Sequence, residues 1–143
     1  MDWLNTYGLI IIIIIMIPNV IFAMNEKNFE SKYNNKVVEL IEQIGRLGSI
    51  ALMIFNISLL DYGYWFTNGK VLYMLLICVL SILYCFVWSL YFKKSSIEKA
   101  MLLAIIPTII FLSSGIIQGK ILLMITSVFF GIGHIIITYY NNR

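Results

Sequence analysis

The feature that most constrains this chain is a series of five apolar stretches, each close to the length at which a helix crosses a bilayer. They cover residues 3–24, 37–60, 71–92, 99–118 and 121–140. A helix needs about 20 residues to traverse roughly 30 Å of hydrocarbon. The first stretch holds six consecutive isoleucines, Ile10 to Ile15. The runs are too long for barrel strands and show no strict alternation, so they predict helices. Composition agrees: 61% of the 143 residues are hydrophobic and 12% are charged. Soluble domains run near half apolar and a quarter charged. The expected fold is an all-α polytopic membrane bundle of five transmembrane helices in a single domain, residues 1–143.

That composition excludes a soluble enzyme, a disordered chain and a nucleic-acid binder. Two cysteines with no metal-ligand spacing exclude a disulfide scaffold and a zinc module. The loops are short. Residues 25–36 read NEKNFESKYNNK, polar and Asn-rich, and Gly119-Lys120 alone separates the last two stretches, which predicts an antiparallel hairpin. The first stretch opens on Met-Asp-Trp with no basic residue, and Ile21-Phe22-Ala23 is a poor cleavage site. It is therefore expected to stay as a span rather than leave as a signal peptide.

The basic residues give an orientation. Lys27, Lys32, Lys36, Lys93, Lys94, Lys99 and Arg143 fall on one side, joined by Arg46, against Lys70 and Lys120 on the other. The positive-inside rule then predicts an outside N-terminus and a cytoplasmic C-terminus. Interfacial aromatics are expected to mark both boundaries: Trp3, Tyr7, Tyr62, Tyr64 and Trp65 outside, and Trp88, Tyr91, Tyr139 and Tyr140 inside.

The second stretch carries the strongest polar signal. Glu39, Glu42, Arg46, Ser49, Met53 and Asn56 recur at intervals of three and four, which puts them on one helical face. A charge at mid-bilayer costs ~3 kcal/mol or more on insertion scales, so the stripe is expected to face protein or water. Glu42 precedes Arg46 by four, the favoured order for an intrahelical pair. Such a pair serves either as self-neutralising structure with snorkelling side chains, as a ligand or proton site, or as a contact to another membrane protein. His134, the single histidine, belongs to a stripe with Ser127, Gly131 and Thr138. At ~1.5 Å of rise per residue it lies roughly 9 Å from its cytoplasmic end. Asn19, Glu42 and Arg46 fall in the same half of the bundle. Histidine titrates near neutrality, and the plainer alternative is a neutral imidazole bonded to a neighbouring helix.

Pro18-Asn19 and Pro107-Thr108 sit in similar contexts, Ile-Pro-Asn-Val-Ile-Phe and Ile-Pro-Thr-Ile-Ile-Phe, on stretches that run in opposite directions. Intramembrane prolines free a carbonyl and kink helices, and paired ones invite an inverted-repeat reading. Cys78, Ser81, Cys85 and Ser89 form a small-residue face expected to pack against a neighbouring helix. No histidine pair, nucleotide-binding glycine pattern or nucleophile elbow is present, so no cofactor and no metal are expected.

Glu42-Gln43-Ile44-Gly45-Arg46, after an Ile-Pro-Asn first span and an Asn-rich loop, resembles uncharacterised small multi-pass membrane proteins of low-GC Gram-positive bacteria. Ile-Ile-Pro-Thr-Ile-Ile-Phe-Leu-Ser-Ser-Gly and Gly-His-Ile-Ile-Ile are similar too. The resemblance implies a bacterial plasma membrane and carries over no functional residue.

Three functions follow as expectations. The first is a non-enzymatic accessory or binding protein, contacting the lipid bilayer and a membrane-protein partner or a second copy through its helices. The second is a small-solute or ion transporter or channel subunit, with a cytoplasm-facing pocket made by Glu42, Arg46, His134, Asn19 and Glu39. The third is an intramembrane enzyme with His134 and Glu42 as acid and base, for which the chain offers few convergent polar groups.

Overall fold

The computed structural model describes residues 4–25, 35–57, 62–94 and 96–142. Trp3, Lys27, Lys32 and Arg143, to which the sequence assigns places at the interfaces, lie outside the described residues, as do residues 58–60 at the end of the second stretch. Five helices form among the described residues: α1 Thr6–Asn25, α2 Lys36–Ile54, α3 Gly69–Lys93, α4 Ile97–Gln118 and α5 Ile121–Asn142. The fold is all-α, and α3, α4 and α5 are each long and apolar enough to cross a membrane. This is the pattern of a multi-pass membrane protein.

Local chemistry fixes the helix ends. The Asn35 side chain accepts hydrogen bonds from the backbone N–H groups of Val37 and Val38 at 3.0 and 3.3 Å, and Ser96 accepts from Lys99 at 3.3 Å. Both satisfy donors that a helix start leaves unpaired. α4 stops at Gly119, whose φ of 69° is left-handed, and Lys120 N–H returns to the Gly115 carbonyl at 2.8 Å. Glycine takes that conformation without a steric penalty.

The second stretch departs from expectation. α2 ends at Ile54, six residues before the predicted boundary. Phe55 is extended and forms a β-bridge with Leu4, while Asn5 N–H donates to the Ile54 carbonyl at 2.7 Å. Lys120, counted with Lys70 on the outer side, is buried. Its ammonium lies 3.3 Å from the Leu52 carbonyl and 2.9 Å from Asn56 Oδ1. A cation at a helix C-terminus meets the negative end of the helix dipole.

The helices close into a ring in the order α1, α2, α5, α4, α3, with α3 returning to α1. At one end sit Leu4, Phe55, residues 62–69 and the α4–α5 turn; Lys36, Lys93, Lys94 and Lys99 gather at the other. Apolar side chains cover the outside as well as the core. Ser49, Ser81, Ser114 and Ser127 are buried, whereas Val71, Leu75, Val79, Ile82 and Phe86 lie exposed along one face of α3. An apolar face of this extent calls for lipid or another protein. The predicted Cys78-Ser81-Cys85-Ser89 face is split: Ser81 turns inward with Tyr73, Ile77 and Tyr84, and Cys78 faces outward. The longer inward side chains fill the interior, so packing rather than residue size sets the rotation of α3.

The tightest seam joins α2 to α5. A Cβ on Gly45 would overlap the Phe130 backbone, and one on Gly133 would stand 2.6 Å from Glu42 Cβ. Ser49 donates a hydrogen bond to Thr126 Oγ1 across the same seam at 3.2 Å. Small residues let membrane helices approach to backbone contact. Gly45→Ala is therefore expected to destabilise the protein by about 1–3 kcal/mol, the usual cost of overpacking. Ile44→Ala, on the exposed side of α2, should stay within about 0.5 kcal/mol. Thermal melts in detergent compare the two, and equal effects would show that the seam does not limit stability.

Candidate functional site

The close α2–α5 approach decides where the polar residues meet. With no side chain on Gly133, α5 rests against Glu42, and the next residue, His134, comes beside that carboxylate. Glu42 Oε1 lies 3.4 Å from an Arg46 guanidinium nitrogen and 3.9 Å from His134 Nδ1. The second distance is beyond hydrogen bonding. The first exceeds the 2.7–2.9 Å of a strong charge-assisted bond, and Glu42 Oε1 makes no hydrogen bond at all. The three groups interact through space rather than through a bonded chain. The His134 ring stacks on Phe130, with centroids 4.9 Å apart and planes 17° apart.

Glu42 is 5% exposed, whereas the Arg46 side chain is 46% exposed. The stripe is expected to face protein or water, and its members differ in how far they turn inward. Turned by 100° per residue, the inward face of α2 centres on Glu42, Gly45, Ser49, Leu52 and Met53, and Arg46 falls on its flank. Asn56 lies past the helix end, bonded to Lys120. Glu39 is half-buried one turn closer to the lysine-bearing end and does not line the cavity described next.

A cavity of about 380 Å³ opens between the helices, and all five contribute to its wall. Asn19 comes from α1, Glu42 and Arg46 from α2, Tyr84 from α3, Pro107 from α4 and His134 from α5. A second cavity of about 220 Å³ lies toward the lysine-bearing end, among Phe22, Trp88, Tyr91, Leu103 and Thr138. Asn19, Tyr84 and His134 line both, so the chambers meet there. Asn19, just after Pro18, donates from Nδ2 to the Ile15 carbonyl at 2.7 Å and to the Tyr84 hydroxyl at 2.8 Å. Thr108, just after Pro107, bonds back to Ala104 in the same register at 3.0 Å. Four residues predicted to share a layer, Asn19, Glu42, Arg46 and His134, thus share one cavity.

Sequence reasoning missed the aromatic partners. Trp88, expected in an interfacial belt, is buried and lines the smaller cavity. Its ring packs against Phe22 at 5.4 Å and Tyr91 at 5.5 Å. Tyr7 donates its hydroxyl to the Met74 carbonyl and meets Tyr73 edge-on. Tyr84 lies three to four residues from Ser81 and Trp88, the inward period of α3; that spacing was the available signal. Among the described residues no three His, Cys, Asp or Glu side chains converge as a metal centre requires.

A double-mutant cycle reads the Glu42–Arg46 interaction. Removing one member of a fully buried pair costs about 3–5 kcal/mol. The exposure of Arg46 lowers the expected loss for Arg46→Ala to about 1–3 kcal/mol. Adding Glu42→Ala should recover part of it, because the stranded carboxylate is gone. Additive melting shifts would instead describe two independently solvated charges.

Comparisons with known protein families, with curated proteins and with solved structures find no match to this chain.

Proposed function

We propose that the chain is a non-enzymatic binding protein of the plasma membrane, holding a small ligand inside its bundle. In this reading all five helices cross the bilayer, with the N-terminus outside and the C-terminus in the cytoplasm. The lysines at one end, Lys36, Lys93, Lys94 and Lys99, support that orientation. α2 is the least apolar of the five, and a span with Glu42 and Arg46 is tolerable because their charges border a cavity rather than lipid alone.

The observation that carries the proposal is the five-walled cavity itself, apolar over most of its surface with a few convergent polar groups, as ligand sites are. Packing alone would fill such a space. Binding suits the geometry better than an open channel. Tyr73, Met53, Ile77, Ile110 and Leu123 plug the interior beyond the cavity, each nearly or fully buried. A transporter subunit would have to rearrange that plug or pair with another copy. Accessory contacts with a partner protein would use the exposed apolar face of α3.

Two measurements test this reading. In a Cys78→Ser, Cys85→Ser background, Thr67→Cys should label with an impermeant thiol reagent added to intact cells, and Lys94→Cys should label only after lysis. The reverse pattern overturns the orientation. Ala100→Phe and Ile50→Phe each place a ring in one chamber. A panel of small cationic, anionic and neutral compounds should contain members that raise the melting temperature of the wild type and not of these variants. If no compound separates them, the cavity is a packing defect and the binding proposal fails.

A further inference from the structure

The walls of the larger chamber point to one class of ligand, an inference that rests on the binding reading above. We infer that the site takes a monovalent organic cation, a protonated or quaternary amine with apolar substituents, with Glu42 as its counter-charge.

The argument begins with the carboxylate. Glu42 is more than nine-tenths buried, lines the chamber, and presents an Oε1 with no hydrogen bond. A buried acceptor without a donor is costly, and more so when it carries charge. Its nearest cation, Arg46, stands on the flank of α2 at 3.4 Å with half its side chain exposed, so it offsets the charge without closing over it. The neutral amide of Asn19 is already engaged with Ile15 and Tyr84. A ligand cation would supply counter-charge on the side that Arg46 leaves open, and a protonated amine would add a hydrogen bond to the oxygen.

The remaining wall suits the same ligand. Phe111 and Phe130 meet edge to face at 5.4 Å, and Phe130 stacks on His134 beside the carboxylate. Tyr84 completes the boundary with the second chamber, where Phe22, Trp88 and Tyr91 pack at 5.4–6.0 Å from one another. Aromatic faces attract alkylammonium groups through their quadrupoles, most strongly where water is excluded. Ile15, Ile50 and Leu47 add aliphatic surface for the substituents. An anionic ligand in the chamber would lie against the Glu42 carboxylate as well as near Arg46, and it would meet aromatic faces of the wrong sign.

The chamber also has an approach from the side. α1 and α2 are joined near Gly8 and Met53 and at the Leu4–Phe55 bridge. Farther along, exposed Met16 and Leu47 border the cavity between the same two helices. An amphipathic cation partitioned into the bilayer would reach Glu42 through that seam.

Three probes of similar size separate the alternatives: benzyltrimethylammonium, its neutral carbon isostere neopentylbenzene, and benzenesulfonate. Binding is followed on detergent-purified full-length protein by thermal shift and by tryptophan fluorescence. Benzyltrimethylammonium should bind saturably, and Glu42→Gln should weaken it at least about tenfold, as expected when the counter-charge is lost from a site shielded from water. Arg46→Gln should lower the melting temperature of the free protein yet tighten the cation at least about threefold, since it removes a competing partner of modest strength. If Glu42→Gln does not fold, Glu42→Asp, which withdraws the charge from the chamber, should show the same weakening. Preferred binding of benzenesulfonate, weakened by Arg46→Gln, would overturn the cation inference and leave the cavity reading standing. So would equal binding of the charged probe and its neutral isostere. Failure of all three probes to distinguish the wild type from Ala100→Phe and Ile50→Phe would bring down both.

Discussion

Backbone contact between α2 and α5, made possible by Gly45 on one helix and Gly133 on the other, is the constraint on which the rest of the interior depends. Helices in lipid gain little from burying apolar surface against each other, because acyl chains are as apolar as leucine. Close packing and interhelical hydrogen bonds must hold them. The Ser49–Thr126 bond and the glycine contacts supply both along one seam. That seam in turn sets the depth and rotation of Glu42 relative to His134. A wider separation would leave the carboxylate facing empty wall.

The opposite side of the ring is built differently. α1 meets α2 chiefly where its first turns lie, through Gly8, the Leu4–Phe55 bridge and the Asn5–Ile54 bond. Toward its other end it is held to α3 by Asn19 and Tyr84 and by Phe22 against Trp88 and Tyr91. The cavity lies between these two attachments and the α2–α5 seam. Its polar groups are therefore fixed by the tight side of the ring, and its aromatic walls by the looser one. Ser114 and Ser127 satisfy themselves locally, on Ile110 and Met124, and Ser49 does so across the seam, whereas the buried carboxylate of Glu42 keeps an oxygen with no hydrogen bond.

How much of this was legible beforehand differs by element. The five helices, the α4–α5 hairpin and the inward orientation of Glu42 and Ser49 follow from apolar run length and from three-and-four spacing. Those are properties of a single helix, and local sequence carries them. The common layer of Asn19, Glu42, Arg46 and His134 also follows, since depth is only rise per residue counted from a helix end. Helix rotation does not. Arg46 shares its stripe with Glu42 within one turn, yet Gly45 takes the buried side and Arg46 the flank, because the glycine is what α5 needs to approach. Trp88 turns inward for a different reason, its ring packing against Phe22, Tyr84 and Tyr91.

The sequence by itself therefore determined that this is a helical, strongly apolar chain with one charged face and one titratable layer. Lateral order was decided only in three dimensions. That α2 neighbours α5 and not α3, that α1 closes the ring, and that a cavity remains between them depend on contacts among residues dozens of positions apart. Five antiparallel helices joined by short loops admit several circular orders with the same hydrophobic pattern. The order adopted is the one in which glycine meets backbone and aromatic rings meet each other. Neither complementarity exists until the helices are side by side.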